Sequence, residues 1–131
     1  MIAIDTNVLV RFLVRDDEAQ FARASALFER AQRADDAVFL AELVVCELVW
    51  VLQRAYRVPK ASIVGTLNEL VRARNIELEA ADRVQRAIAA FAAGRGDFAD
   101  YLIREQARAA GCDGVATFDS SVVKENGFVK V

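Results

Sequence analysis

Apolar residues along the chain follow two rhythms, short unbroken runs and longer stretches with helical spacing. Met1-Ile2-Ala3-Ile4 is a short run that ends in Asp5, which predicts a buried parallel strand closed by a carboxylate. Thr6 to Val14 predicts a short helix with Thr6 as its cap. The polar break Arg15-Asp16-Asp17-Glu18 starts an amphipathic helix to about Ala34, with Phe21, Ala24, Leu27, Phe28 and Ala31 on one face. Ala37-Val38-Phe39-Leu40 reads as a strand. Glu42 to about Tyr56 is apolar nearly all round, so this helix is expected to be buried or to lie at a subunit interface. Pro59 opens a helix to about Arg74, and Ile76-Glu77-Leu78 is a weaker strand signal. An Ala-rich helix from Ala81 to Ala93 closes at Gly94-Arg95-Gly96. Asp97 caps a helix to about Ala110 that stops at Gly111. A strand at Val115-Ala116-Thr117-Phe118, a short helix from Ser120 to Glu125 and a strand at Phe128-Val129-Lys130-Val131 complete the chain. Strands alternating with helices predict an α/β fold, a parallel sheet with helices on both faces.

Composition narrows the function. At 131 residues, 55% of them hydrophobic, the chain is expected to form a single domain with a substantial core. It has no apolar run of membrane-spanning length and no export signal, and its two cysteines make no disulfide scaffold; a cytoplasmic location is expected. Histidine is absent, which excludes a Ser-His-Asp triad, a Cys-His pair and a His-bound zinc site. The net charge of −2 argues against a wholesale nucleic-acid coat, although fourteen arginines stand against three lysines. The arginine fork binds two phosphate oxygens at once.

Four acids stand where solvated acids are not usually found. Asp5 and Asp119 end strands, Glu47 interrupts an apolar helix, and Asp100 lies in the first turns of another. Asp5 could hold a cation, accept a proton or cap a helix. Glu47 is flanked by Val45, Cys46, Leu48 and Val49, and an unpaired buried carboxylate is costly; pairing with Arg54 or Arg104 is the alternative. Asp97 and Asp100 are three apart and so are neighbours on a helix, Asp97 the better cap and Asp100 the better ligand. Acids at strand ends and helix starts are expected to meet at one rim, where their repulsion calls for a cation. Oxygen donors without His or Cys favour Mg²⁺ or Mn²⁺. One or two such ions can activate a water and clamp a phosphodiester, so the missing histidine is no handicap.

With these residues in place, the chain resembles the PIN-domain ribonucleases, and among them the VapC-type toxins of bacterial toxin–antitoxin pairs. The matching stretches are Ile2-Ala3-Ile4-Asp5-Thr6-Asn7-Val8-Leu9, Val44-Val45-Cys46-Glu47-Leu48-Val49-Trp50-Val51-Leu52, Asp97-Phe98-Ala99-Asp100-Tyr101-Leu102-Ile103 and Ala116-Thr117-Phe118-Asp119-Ser120. Each is weak alone; their order and spacing carry the likeness, and they span the chain. The resemblance implies a three-layer α/β/α sandwich with a mainly parallel sheet of four to five strands. It implies an Mg²⁺- or Mn²⁺-dependent endoribonuclease that leaves 5′-phosphate and 3′-hydroxyl ends. By motif position Asp5, Glu47, Asp100 and Asp119 become the catalytic, metal-holding set. Thr6 and Asn7 would steady Asp5, and Asp97 and Thr117 would support the rim. A small antitoxin protein and a homodimer are the implied partners. Ser120-Ser121 stands where the family often has a charged residue.

Arg11, Arg15 and Arg95 are candidate RNA contacts. Trp50 is expected in the core or at a dimer interface, and Cys46 is expected to act as a small hydrophobe. Two rival functions remain. Asp5-Thr6-Asn7 is similar to the start of haloacid-dehalogenase-like phosphatases, with Asp5 as a covalent nucleophile, although Asn7 replaces their second Asp. A PIN-like module that binds RNA or protein without cutting is the other.

Overall fold

A computed structural model describes residues 1–131. It is an α/β/α sandwich with all strand pairs parallel, and its elements run β1 (Ile2–Ala3), α1 (Thr6–Leu13), α2 (Glu18–Arg33), β2 (Val38–Leu40), α3 (Glu42–Arg54), α4 (Lys60–Arg72), β3 (Ile76–Leu78), α5 (Ala81–Ala93), α6 (Phe98–Ala109), β4 (Val115–Thr117) and β5 (Phe128–Lys130). The weak strand signal at Ile76 is real: β3 pairs with β2, Val38 opposite Ile76 and Leu40 opposite Leu78.

The sheet is small and comes in two pieces, β1-β2-β3 and β4-β5, rather than as one sheet of four to five strands. β1 is therefore an edge, and the expectation of a buried first strand fails at Ile2, which is 53% exposed. Burial begins at Ile4. The two sheet pieces still share one core, a continuous cluster from Ile4 and Leu9 through Val38, Leu48 and Phe91 to Tyr101 and Phe128. α2 packs on α1 through stacked Phe12 and Phe28, 4.2 Å between centroids.

Three local expectations change. Asp5, not Thr6, caps α1: its carboxylate accepts the Val8 N–H at 3.0 Å. Ser120 to Glu125 forms turns, not a helix. α3 is not buried all round. Glu42, Val45, Leu48, Val49 and Leu52 face the core, while Leu43, Glu47 and Trp50, three and four residues apart, face outward. Trp50 is 59% exposed and so is no core residue. Glu47, read from its apolar neighbours as buried, lies on this outward stripe. The buried acid of α3 is Glu42, and it is neutralised by the guanidinium of Arg83.

Candidate active site

Asp5 sits where β1 passes into α1. One oxygen is committed to the Val8 amide, and Oδ2 has no protein partner. The next residue, Thr6, is buried and donates its hydroxyl to Glu47 Oε2 at 2.6 Å. This bond crosses from α1 to α3 and joins two motifs 41 positions apart. Asn7 is exposed on α1 and lines the same groove as Asp5.

A second acidic group forms around the start of α6. Asp97 and Asp100 make a capping box, in which Asp100 Oδ2 accepts the Asp97 N–H at 2.9 Å. Asp119 lies beyond β4. Its own N–H donates to Thr117 Oγ1 at 2.9 Å, and its carboxylate accepts the Ser121 N–H at 2.8 Å. Thr117 and the unusual Ser121 thus hold Asp119 in place.

Glu47 and Asp97 line one cavity of about 220 Å³ between α3 and α6, together with Trp50 and Arg54. The expected convergence of four carboxylates into one pocket is, however, not what the structure holds. Asp5 with Glu47 forms one group and Asp97, Asp100 and Asp119 the other, and no three acids close into an ion-sized cage. The physical reason is the divided sheet: β1 and β4 exchange no hydrogen bonds, so no ladder fixes the strand ends that precede Asp5 and Asp119 against each other.

Electrostatics separates two of the three acids of the α6 group, Asp100 and Asp119. Partial burial pushes the Asp100 carboxyl above the usual range, and the negative charges of Asp97, Asp119 and Glu125 push the same way against the Asp97 amide. Hydrogen bonds from Ser121 hold Asp119 below it. Elsewhere buried acids are paired, Glu42 with Arg83 and Glu105 with Arg86, Arg104 and Arg108. Asp100 has acids for neighbours and no basic partner. An all-oxygen donor set with uncompensated negative charge fits a hard divalent cation and suits no softer metal.

Glu47 gains no arginine either: Arg54 lies over the Trp50 ring at 5.8 Å, and Arg104 donates to the Asn126 carbonyl and to Glu105. Burial, then the Glu47 charge, pushes the Cys46 thiol up and so disfavours its thiolate.

The PIN domain family model matches residues 2–126. This chain belongs to the PIN-domain family. A VapC ribonuclease of Aquifex aeolicus (strain VF5) is 25% identical over 115 residues, covering 88% of this chain and 84% of that protein.

The PIN-domain frame has a strut that the sequence pattern did not reveal. Tyr101, fully buried one residue after Asp100, accepts the Gly96 N–H at 2.9 Å and donates to Glu125 at 2.7 Å. It ties the loop before α6 to the turn after Asp119. Gly96 is needed there, because a side chain at that position would collide with Val122. Tyr101 is visible in the sequence, but its partner Glu125 is 24 positions away and no local spacing points to it.

The candidate RNA contacts also sort themselves. Arg11 is held by Gln20, Asp16 and Tyr56, and Arg15 by Glu18 and the face of Phe21. Arg95 is exposed and makes no ion pair. No helix is long and apolar enough to cross a membrane.

Proposed function

We propose that this PIN-domain chain is a divalent-metal-dependent endoribonuclease, the toxin of a toxin–antitoxin pair. The observation that carries the reading is Asp100, a half-buried carboxylate set among Asp97, Asp119 and Glu125 with no arginine beside it. Such an arrangement costs stability in the isolated chain, as expected where function requires a cation. Family membership and the similar VapC ribonuclease of Aquifex aeolicus support the same reading.

Asp5 and Glu47 from one group and Asp100 and Asp119 from the other would hold Mg²⁺ or Mn²⁺, one ion or two. When bound, the metal would supply Lewis acidity toward a phosphodiester and lower the pKa of a water, giving 5′-phosphate and 3′-hydroxyl ends. The protein's own part is positioning. Asp5 is anchored through one oxygen by the α1 amide and offers the other. Thr6 aims Glu47 and takes up one of its lone pairs. Hydrogen bonds from Ser121 favour the charged form of Asp119, while partial burial and acidic neighbours disfavour that of Asp100.

The phosphatase alternative is weakened because Asn7 stands where its second Asp would be. Leu43, Trp50 and Ile103 are exposed apolar side chains on α3 and α6, which is consistent with the homodimer implied by the resemblance. An antitoxin protein and a cytoplasmic site of action complete the proposal.

The test is to sequence RNA ends after expressing the chain in cells, and to repeat the cleavage with purified protein in Mg²⁺ or EDTA. Asp5→Asn and Asp100→Asn should each lose cleavage by at least ~100-fold, the scale of lost charge stabilisation in a transition state, with circular dichroism unchanged. Either variant cutting at the parent's rate in Mg²⁺ overturns the roles assigned. RNA binding without any cleavage by the parent would favour the non-catalytic module.

A further inference from the structure

We propose that the groove between α1 and α2 seats the phosphate backbone of the RNA, with Arg23 and Arg30 as its phosphate ligands; this rests on the nuclease reading above. The groove encloses about 550 Å³ and is lined by Asp5, Asn7, Arg11, Arg23 and Arg30 over an apolar floor that includes Leu27. Arg11 Nε donates to Gln20 Oε1 at 2.6 Å, which joins the end of α1 to the start of α2. Asp5, at the start of α1, and Arg30, near the end of α2, line this same groove.

Arg23 and Arg30 are seven positions apart on α2. That is close to two full turns, so both heads share one face about 10 Å apart along the axis. Neither makes an ion pair. Their neighbours are different: Arg15 is bound to Glu18 and Arg33 to Glu29, and Arg11 has only Nη2 uncommitted. Two free guanidinium forks thus share one groove with a candidate catalytic carboxylate. A fork binds phosphate oxygens in pairs, and phosphate contacts are what set the register of a nucleic acid. The small side chains of Ala24 and Ala26 between them leave the groove open. An acidic protein segment could use the same forks. RNA is favoured because the groove includes Asp5, where a nuclease must hold its substrate at every turnover.

The measurement is fluorescence anisotropy with a labelled mixed-sequence single-stranded RNA, titrated at several salt concentrations in an Asp100→Asn background that does not cut. Each phosphate contact on a single strand contributes about 0.7 to the slope of log K against log salt. Arg23→Ala with Arg30→Ala should reduce the slope by about 1.4. Cleavage by the same double variant carrying native Asp100 should show a raised KM and an unchanged kcat. Both residues are exposed and alanine is a strong helix former, so the fold should hold. Arg72→Ala with Arg74→Ala, two arginines without ion pairs outside the groove, should leave the slope unchanged. A double variant with the parent's slope overturns the proposal and leaves the nuclease reading standing. An unchanged slope with lost binding of an acidic protein partner assigns the groove to that partner. Failure of the parent to bind or cut any RNA sinks both.

Discussion

Removing the negative charge of Asp100 should stabilise the metal-free protein while destroying its activity. Asp100→Asn keeps an oxygen able to accept the Asp97 N–H, so the turn that starts α6 survives. It removes repulsion from Asp97, Asp119 and Glu125 and the cost of partial burial. At a rim this open to water each like-charge contact is worth a few tenths of a kcal/mol after screening, or about 1 kcal/mol for three. The lost attraction between the carboxylate and the α6 N-terminus returns about 0.5 kcal/mol. The net gain is about 0.5 kcal/mol, or roughly 2 °C in Tm for a chain of this length. The pH dependence has a definite sign. Because the folded carboxyl sits above its unfolded value, its contribution is fully stabilising below about pH 4 and is lost as pH rises through the folded value. The gap between variant and parent should therefore be absent below about pH 4 and open above it. Mg²⁺ should reverse the order. At a concentration ten times its Kd a ligand of the native state adds about 1.4 kcal/mol, roughly 5 °C, to the parent, and less to the variant. Differential scanning calorimetry in EDTA and in Mg²⁺ across pH 3–8 reads all of this. A variant that melts below the parent in EDTA at pH 7, or one that gains as much from Mg²⁺ as the parent, would refute the reasoning.

Thr6→Val keeps the shape of a buried side chain but deletes the bond to Glu47. Because Glu47 itself can rehydrate, urea unfolding should show a loss of about 1 kcal/mol, and cleavage should fall about 10- to 100-fold, the usual cost of losing a group that orients a metal ligand. Unchanged cleavage would separate Thr6 from the chemistry. Gly96→Ala forces a methyl group into Val122 and should cost about 1–3 kcal/mol by overpacking, with the loop before α6 losing hydrogen-exchange protection first; a wild-type urea midpoint would show that the contact yields freely.

Much of the fold was legible because the signals are local. The carboxylate of Asp97 or Asp100 at a helix start, the apolar face of α2 from Phe21 to Ala31, and Gly111 with φ +86 just past α6 each encode their element within one or two turns. Readings that needed distant partners went astray. Thr6 looked like a cap because its chain neighbours say so; its hydroxyl is claimed by Glu47, 41 positions on. Glu47 looked buried because its neighbours in sequence are apolar, but a helix turns 100° per residue and puts Leu43 and Trp50, also exposed, on its side. Ser120 to Glu125 lacks the length to nucleate a helix and takes turns shaped by Tyr101 and Asp119.

The order of acids along the chain, the absence of histidine and the alternation of strands and helices were properties of the sequence alone, and their pattern sufficed for the family. Which arginines remain free, which acid bears the unrelieved charge, and how the strand ends carrying Asp5 and Asp119 lie relative to each other were decided by tertiary structure. Burial, ion pairing and strand registration depend on residues brought together from opposite ends of the chain, and no spacing rule reaches that far.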